Sequence, residues 1–126
     1  MRALVIDDEA GIREIVAAYL EPLGYEVLTA DRAERGLALA AKQAPDIVIV
    51  DLMMPDMDGY AFCRALRQAT GTPGVPVIMI TASHDPALTG RAYAAGAQAC
   101  VPKPFRREAL ITAVQAVVAG RPRAKP

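Results

Sequence analysis

Closely paired cysteines, an excess of either charge and a long apolar run are all missing from this chain of 126 residues. Cys63 and Cys100 lack the spacing of a zinc site, so among so many aliphatic residues both read as small core side chains. Lys and Arg total 14, as do Asp and Glu, so no global field draws the chain to nucleic acid or to an anionic membrane. The basic residues are scattered and no recognition helix accompanies them, which argues against direct nucleic acid binding. Hydrophobic residues make up 53% of the chain, but no stretch of about 18 apolar residues is there to span a bilayer. Met1 opens no basic and then apolar leader. The expectation is a soluble, cytoplasmic protein of one domain, without membrane attachment and without repeats.

What is present is a rhythm of short blocks. Ala3-Leu4-Val5-Ile6, Asp46-Ile47-Val48-Ile49-Val50 and Val75-Pro76-Val77-Ile78-Met79-Ile80 are β-branched and almost unbroken, as suits parallel strands covered on both faces. Tyr25 to Thr29 alternates more and Ala99-Cys100-Val101 is brief, so these read as strands nearer the edges. Between them the apolar residues fall at helical spacing. The clearest stripes are Ile12, Ile15, Val16, Tyr19 and Leu20, then Leu110, Ala113, Val114, Val117 and Val118. Phe62, Ala65, Leu66 and Ala69 form a third stripe, and Ala33, Leu37, Ala40, Ala41 and Leu88, Ala92, Ala95 form two weaker ones. Asp31 with Glu34 reads as a helix-opening cap pair, Asp85-Pro86 as cap plus first-turn proline, and Gly24 and Gly96 as helix stops.

Strands alternating with helices predict an α/β fold, with right-handed crossovers and helices on both faces of a parallel sheet. Such sheets bind ligands beyond the carboxyl ends of their strands. The domain is expected over residues 1–119. Residues 120–126, basic and rich in Pro, read as a tail or the start of a linker.

The strand ends carry Asp7-Asp8, Asp51, Thr81 and Lys103. Taken singly each is ordinary, since Asp is a common turn former, Thr a strand residue and Lys a loop charge. Together, carboxylates crowded at one sheet edge repel and need a cation. Magnesium fits, because it takes oxygen ligands, keeps several waters and joins one or two carboxylates to a phosphate. Asp51 is the best placed nucleophile for an aspartyl phosphate, with positioning and charge neutralisation supplying most of the rate. Lys103 would be a point cation for the same phosphate, and the Thr81 hydroxyl a donor able to reach a new phosphoryl oxygen.

At these residues the chain strongly resembles the receiver domains of bacterial two-component response regulators, in a chemotaxis-regulator-like form. The matching segments are Val-Ile-Asp7-Asp8-Glu9, Asp51-Leu-Met-Met-Pro55-Asp-Met-Asp-Gly59, Met-Ile-Thr81-Ala82 and Lys103-Pro104-Phe105, in the family's order and spacing over residues 2 to 118. The resemblance implies a doubly wound, flavodoxin-like (βα)5 three-layer sandwich whose parallel strands run in the order 2-1-3-4-5. It implies Asp51 as phosphoacceptor. Asp8, Asp51 and the Met53 carbonyl would be direct ligands of Mg2+ (Mn2+ can substitute), with Asp7 acting mainly through a bound water.

The implied partner is a sensor histidine kinase or a histidine phosphotransfer protein. The implied homodimer or docking surface is the face of the fourth helix, fifth strand and fifth helix. A cis peptide is implied at Lys103-Pro104. The chain departs from the family at Cys100, the switch position, where a Tyr or Phe usually swings inward as the Thr engages phosphate. Pro102 adds a second stiff residue beside Lys103. Met53 and Ser83 flank the site where the family tunes phosphoryl lifetime, and His84 reads as an exposed loop residue.

Two other readings share some of these residues. A phosphatase of the haloacid dehalogenase class shares the Asp nucleophile, magnesium and Lys, but needs a carboxylate two residues after the nucleophile, where Met53 can neither donate nor accept a proton. A degenerate receiver that signals by binding without phosphate usually lacks acidic or Lys residues that are present here. The expectation is therefore an acceptor that phosphorylates itself and can lose the group again, not a turnover enzyme.

Overall fold

The computed structural model describes residues 1–69, 74–83 and 85–120. Five parallel strands form one sheet in the order β2-β1-β3-β4-β5. In chain order the elements are β1 (Arg2–Ile6), α1 (Ala10–Leu20), β2 (Glu26–Ala30), α2 (Ala33–Gln43), β3 (Ile47–Asp51), α3 (Gly59–Gln68), β4 (Val77–Thr81), α4 (Pro86–Ala95), β5 (Ala99–Pro102) and α5 (Arg107–Ala119). This is the predicted doubly wound α/β sandwich with its predicted strand order. His84 and residues 121–126 of the expected tail lie outside the described residues.

Alternation along each strand sorts the aliphatic residues into two cores. Leu4, Ile6, Val48, Val50, Val77 and Met79 face α2, α3 and α4, where Phe62 and Leu66 bury completely. Ala3, Val5, Ile47, Ile49, Ile78 and Ile80 face α1 and α5, meeting Val16, Leu20, Leu110 and Val114. Truncating one of these fully buried Leu or Ile residues to Ala costs about 2–5 kcal/mol.

The helical stripes hold in part. Ile15 is exposed, so α1 buries a narrower face through Val16 and Leu20. In α2 the buried face is Ala33, Gly36 and Ala40, while Ala41 points to solvent. A Cβ on Gly36 would stand 2.8 Å from Ile6 Cγ1, so only glycine lets this helix lie so close to β1.

The strand limits shift by a residue or two. Pro76 has no N–H to give to the ladder, so β4 starts after it, although its carbonyl still accepts from Val48 N–H at 2.9 Å. At the other end, Asp51 and Thr81 are the last residues of their strands rather than the first beyond them. Asp85 caps α4 through Ala87 N–H with Pro86 in the first turn, and Gly24 and Gly96 take left-handed φ of 93° and 110°. The Asp31–Glu34 cap pair does not form: Asp31 instead meets Arg35 at 3.4 Å, and the first amides of α2 are satisfied from another loop.

Candidate functional site

The carboxyl ends of β1, β3, β4 and β5 converge on one polar pocket. Asp7, Asp51 and Thr81 are the buried polar residues of the described chain. Each is held by the backbone that carries it. Asp7 N–H donates to Ala30 O at 3.1 Å, tying the end of β1 to the end of β2. Its side chain accepts from Glu9 N–H at 2.9 Å, and Arg13 donates to its carbonyl at 2.7 Å. Leu52 N–H donates to Ile80 O at 2.8 Å, so Asp51 is fixed against β4.

At the far edge, Lys103 N–H donates to Thr81 O at 2.6 Å. The Lys103-Pro104 peptide is cis, as the resemblance implied. Phe105 next to it meets the Tyr19 ring edge-on, with centroids 6.5 Å apart, anchoring this loop to α1.

The oxygens of Asp7, Asp8 and Asp51 that could hold a metal ion lie within 4.8 Å of one another. Asp8 is exposed while the other two are buried, so the cluster has one wet side. Donors that are all carboxylate oxygen, with room for water, suit a hard divalent cation such as magnesium and not a soft one. Lys103 enters the same cluster: its Nζ stands 3.0 Å from Asp7, 3.3 Å from Asp51 and 3.7 Å from Glu9. The repulsion expected among the acids is therefore already offset in part by a cation of the chain itself.

The titration of these groups follows. Burial, and then the charge of Asp7, push the Asp51 carboxyl above its ordinary pKa, with Lys103 pulling partly the other way. For Lys103, burial works against the charge, but the hydrogen bond to Asp7 and the charges of Asp51 and Asp7 outweigh it and raise its pKa.

The switch half of the pocket is arranged differently. Thr81 Oγ1 accepts from Ser83 N–H at 3.1 Å, so its hydroxyl is engaged with its own loop. Cys100 is half-buried in β5 beside Met79 of β4, with Thr89 of α4 nearby. A hollow of about 120 Å³ lies among Thr81, Ser83, Asp85, Thr89, Cys100 and Pro102. A wider cleft on the other side of Thr81 runs past Met53, Ser83 and Leu88 to Arg91, whose guanidinium lies 4.4 Å over the Tyr60 ring. Met53 is 71% exposed at its mouth.

All the acidic, Lys and Thr residues singled out from the sequence thus meet at one strand-end pocket. Cys100 lies one strand further out, on the hollow that borders Thr81. Glu9 and Arg13 were missed as contributors, and only the adjacency of Glu9 to the Asp pair hinted at a role. Asp56 was missed as well. It sits in the loop after β3, and its carboxylate accepts from Ala33 N–H at 3.1 Å and Glu34 N–H at 2.9 Å, capping α2 from outside.

Comparison with known proteins agrees with this geometry. Residues 3–115 match the family model "Response regulator receiver domain". A probable transcriptional regulator ycf27 of Guillardia theta is 40% identical over 93% of this chain and 45% of its own length. The DNA-binding dual master transcriptional regulator RpaA of Synechocystis sp. is 36% identical over 93% of this chain and 48% of its own. The chain therefore spans about half the length of the curated relatives it matches. Among solved structures, the chemotaxis response regulator CheY4 of Vibrio cholerae superposes with a TM-score of 0.87 at 35% identity, covering 92% of this chain and 97% of that one. A CheY-like receiver domain protein from Methanospirillum hungatei gives 0.86 at 28% identity, covering 94% of each chain. With the family model matched along nearly the whole chain and the pocket assembled at the strand ends, this protein belongs to the receiver domains of two-component response regulators.

Proposed function

We propose that this receiver accepts a phosphoryl group on Asp51 in a metal-dependent transfer from the phosphohistidine of a sensor kinase or a phosphotransfer protein. The observation that carries the reading is the buried Asp51 carboxylate with Asp7 and Asp8 beside it and Lys103 Nζ at 3.3 Å. An Asp51 oxygen attacks phosphorus, the P–N bond to the imidazole breaks, and the imidazole leaves with a proton from solvent. Asp8, Asp51 and the Met53 carbonyl would hold Mg2+, with Asp7 acting through water. The bound ion would offset charge shared between the carboxylates and the phosphoryl group. Lys103 steadies the arriving oxygens as a point charge. Thr81 Oγ1, which accepts from Ser83 N–H, can then turn its own O–H to donate to the new phosphoryl oxygen.

The domain is read as an acceptor rather than a turnover enzyme. It is assigned to residues 1–119, and the composition of 120–126, basic and rich in Pro, is that of a tail or linker. Since the relatives named as transcriptional regulators are about twice as long, a DNA-binding output unit beyond this chain is part of the proposal. The face of α4, β5 and α5, with Tyr93 exposed on α4, is its homodimer or docking surface. The phosphate-independent alternative has no observation in its favour, because the acidic cluster and Lys103 are complete.

The test is intact mass after mixing with acetyl phosphate. An adduct of one phosphoryl group in wild type with magnesium, absent without the metal and absent in Asp51→Asn, is the expected result. An adduct retained by the variant would move the nucleophile elsewhere. No adduct in wild type with several donors would turn the reading to a binding module.

A further inference from the structure

We propose that Asp56 is a positioning residue for the metal-binding loops, which by capping α2 from across the site sets where the loop after β3 presents the Met53 carbonyl. The inference rests on the ligand set read above. α2 starts at Ala33 behind an extended Arg32, and the residue at its own N-cap gives no side-chain hydrogen bond to the free amides. Asp56 supplies that cap with both carboxylate oxygens, at 3.1 Å from Ala33 N–H and 2.9 Å from Glu34 N–H. Slight burial disfavours its charge, but the amides of Glu34 and Ala33, and its own and Met57's, hold its pKa below the usual value.

At the other end of the same turn, Ala30 O accepts from Asp7 N–H at 3.1 Å. Residues 30–34 therefore bridge the segment that carries Asp7 and Asp8 to the segment that carries Asp51 and Met53. The base of the second segment is closed independently, by Gly59 N–H on Leu52 O at 2.7 Å and by Asp58 accepting from Ala61 N–H at 2.8 Å. A Cβ on Gly59 would stand 3.0 Å from Asp51 O, so this closure is as tight as the backbone allows. Met54 and Met57 lean into the core, while Met53 is open to solvent. The apex between the closed base and the open Met53 is what Asp56 ties down. A metal whose ligands come from both segments feels their separation, because outer partners of ligands tune affinity through geometry.

The test separates positioning from plain helix capping. Mg2+ affinity is measured by calorimetric titration, and Tm is measured in chelator without metal, for wild type, Asp8→Asn, Asp56→Ala and Ala38→Gly. Ala38 is on the exposed face of α2, so glycine there weakens the same helix without touching the loop. Asp56→Ala is expected to lower Tm and to weaken Mg2+ binding about tenfold. Ala38→Gly is expected to lower Tm and leave Mg2+ binding as in wild type. Equal weakening in both variants means helix stability alone sets the affinity, and the proposal falls. So it does if Asp56→Ala binds Mg2+ like wild type. Wild type that takes up no Mg2+, or Asp8→Asn that binds it undiminished, overturns the ligand reading and this inference with it.

Discussion

The acidic half of the pocket and its switch half are built to different standards. Asp7, Asp51 and Lys103 form a closed set, each held by backbone hydrogen bonds to a neighbouring strand, with Lys103 bridging the two buried carboxylates. Around Thr81 the arrangement is looser: the hydroxyl serves its own loop, Cys100 offers a small thiol where the family usually carries a ring, and a hollow separates β5 from the start of α4. The difference separates two demands. Phosphoryl transfer depends on charges held in fixed places, whereas the response depends on a side chain with two places to go. The second demand has been relaxed here while the first is met in full.

The strongest way to break the acidic half is to remove its cation. Lys103→Met leaves Asp7 and Asp51 buried side by side, so stability at neutral pH without metal should fall by about 3 kcal/mol. Phosphorylation by acetyl phosphate should slow by about 100-fold or more, as when one preorganised charge is lost from a site of this kind. Urea unfolding with and without Mg2+ checks the first statement, because the ion should return most of the lost stability. A variant as stable as wild type in chelator would mean that the carboxylates do not need Lys103.

Removing one of the acids should act in the opposite direction. Burial and Asp7 raise the pKa of Asp51 in the folded protein. A raised folded-state pKa gives stability that is complete below the unfolded value, near 3.9 for Asp, and lost as pH rises through the folded value. Wild type at neutral pH has lost that contribution and Asp51→Asn has not. The variant should therefore unfold at a Tm a few degrees higher in chelator at pH 7, and its advantage should shrink toward pH 4. Melting curves across that range decide it. An advantage that does not vary with pH would trace to packing instead of ionisation.

Much of this architecture was legible in the sequence because two independent periodicities agreed. The apolar runs at Ile47 to Val50 and Val77 to Ile80, short and β-branched, suited covered strands, and their ends placed Asp51 and Thr81 correctly to within one residue. What was misread depended on distance in space without a sequence signal. Asp31 stands where a cap should, but the carboxylate that caps α2 comes from Asp56, more than 20 residues later. Nothing local marks that exchange. Ile15 fits the apolar period of α1 and is nevertheless exposed, while Val16 and Leu20 carry the buried face. The ion pairs of Lys103 were anticipated for a phosphate and not for the carboxylates themselves.

Filling the switch half should sharpen the comparison from its other side. Cys100→Tyr places a ring at the border of the hollow shared with Thr81 and Thr89. Enlarging the side chain over a hollow of about 120 Å³ should cost at most about 1–3 kcal/mol, and less where the ring finds room in the hollow. The rate of Asp51 phosphorylation should stay within a factor of about two of wild type, because no group of the acidic half is touched. The response should grow: amide chemical shifts in α4 and β5 on phosphorylation should be larger in the variant than in wild type. Equal shifts would show that Cys100 and Thr89 already transmit the change in full.

The smallest expected effect concerns the two thiols, which lie in these contrasting surroundings. Cys63, on the inner face of α3, is completely buried in the core, and burial pushes its pKa up to about 11 despite the nearby charges of Arg67 and Arg64. Cys100 is half-buried at the hollow, its pKa raised by burial and partly lowered again by Thr89. Thiolate is the reactive form, so both should react slowly with a disulfide reagent at pH 8, and Cys100 should react first. Phosphorylation should change the rate at Cys100, because Thr81 borders the same hollow, and leave Cys63 as it was. Rates followed separately in Cys63→Ala and Cys100→Ala measure this directly. A change confined to Cys63 would place the conformational response in the core between α3 and the sheet, away from the hollow, and the contrast between the two halves would have to be redrawn.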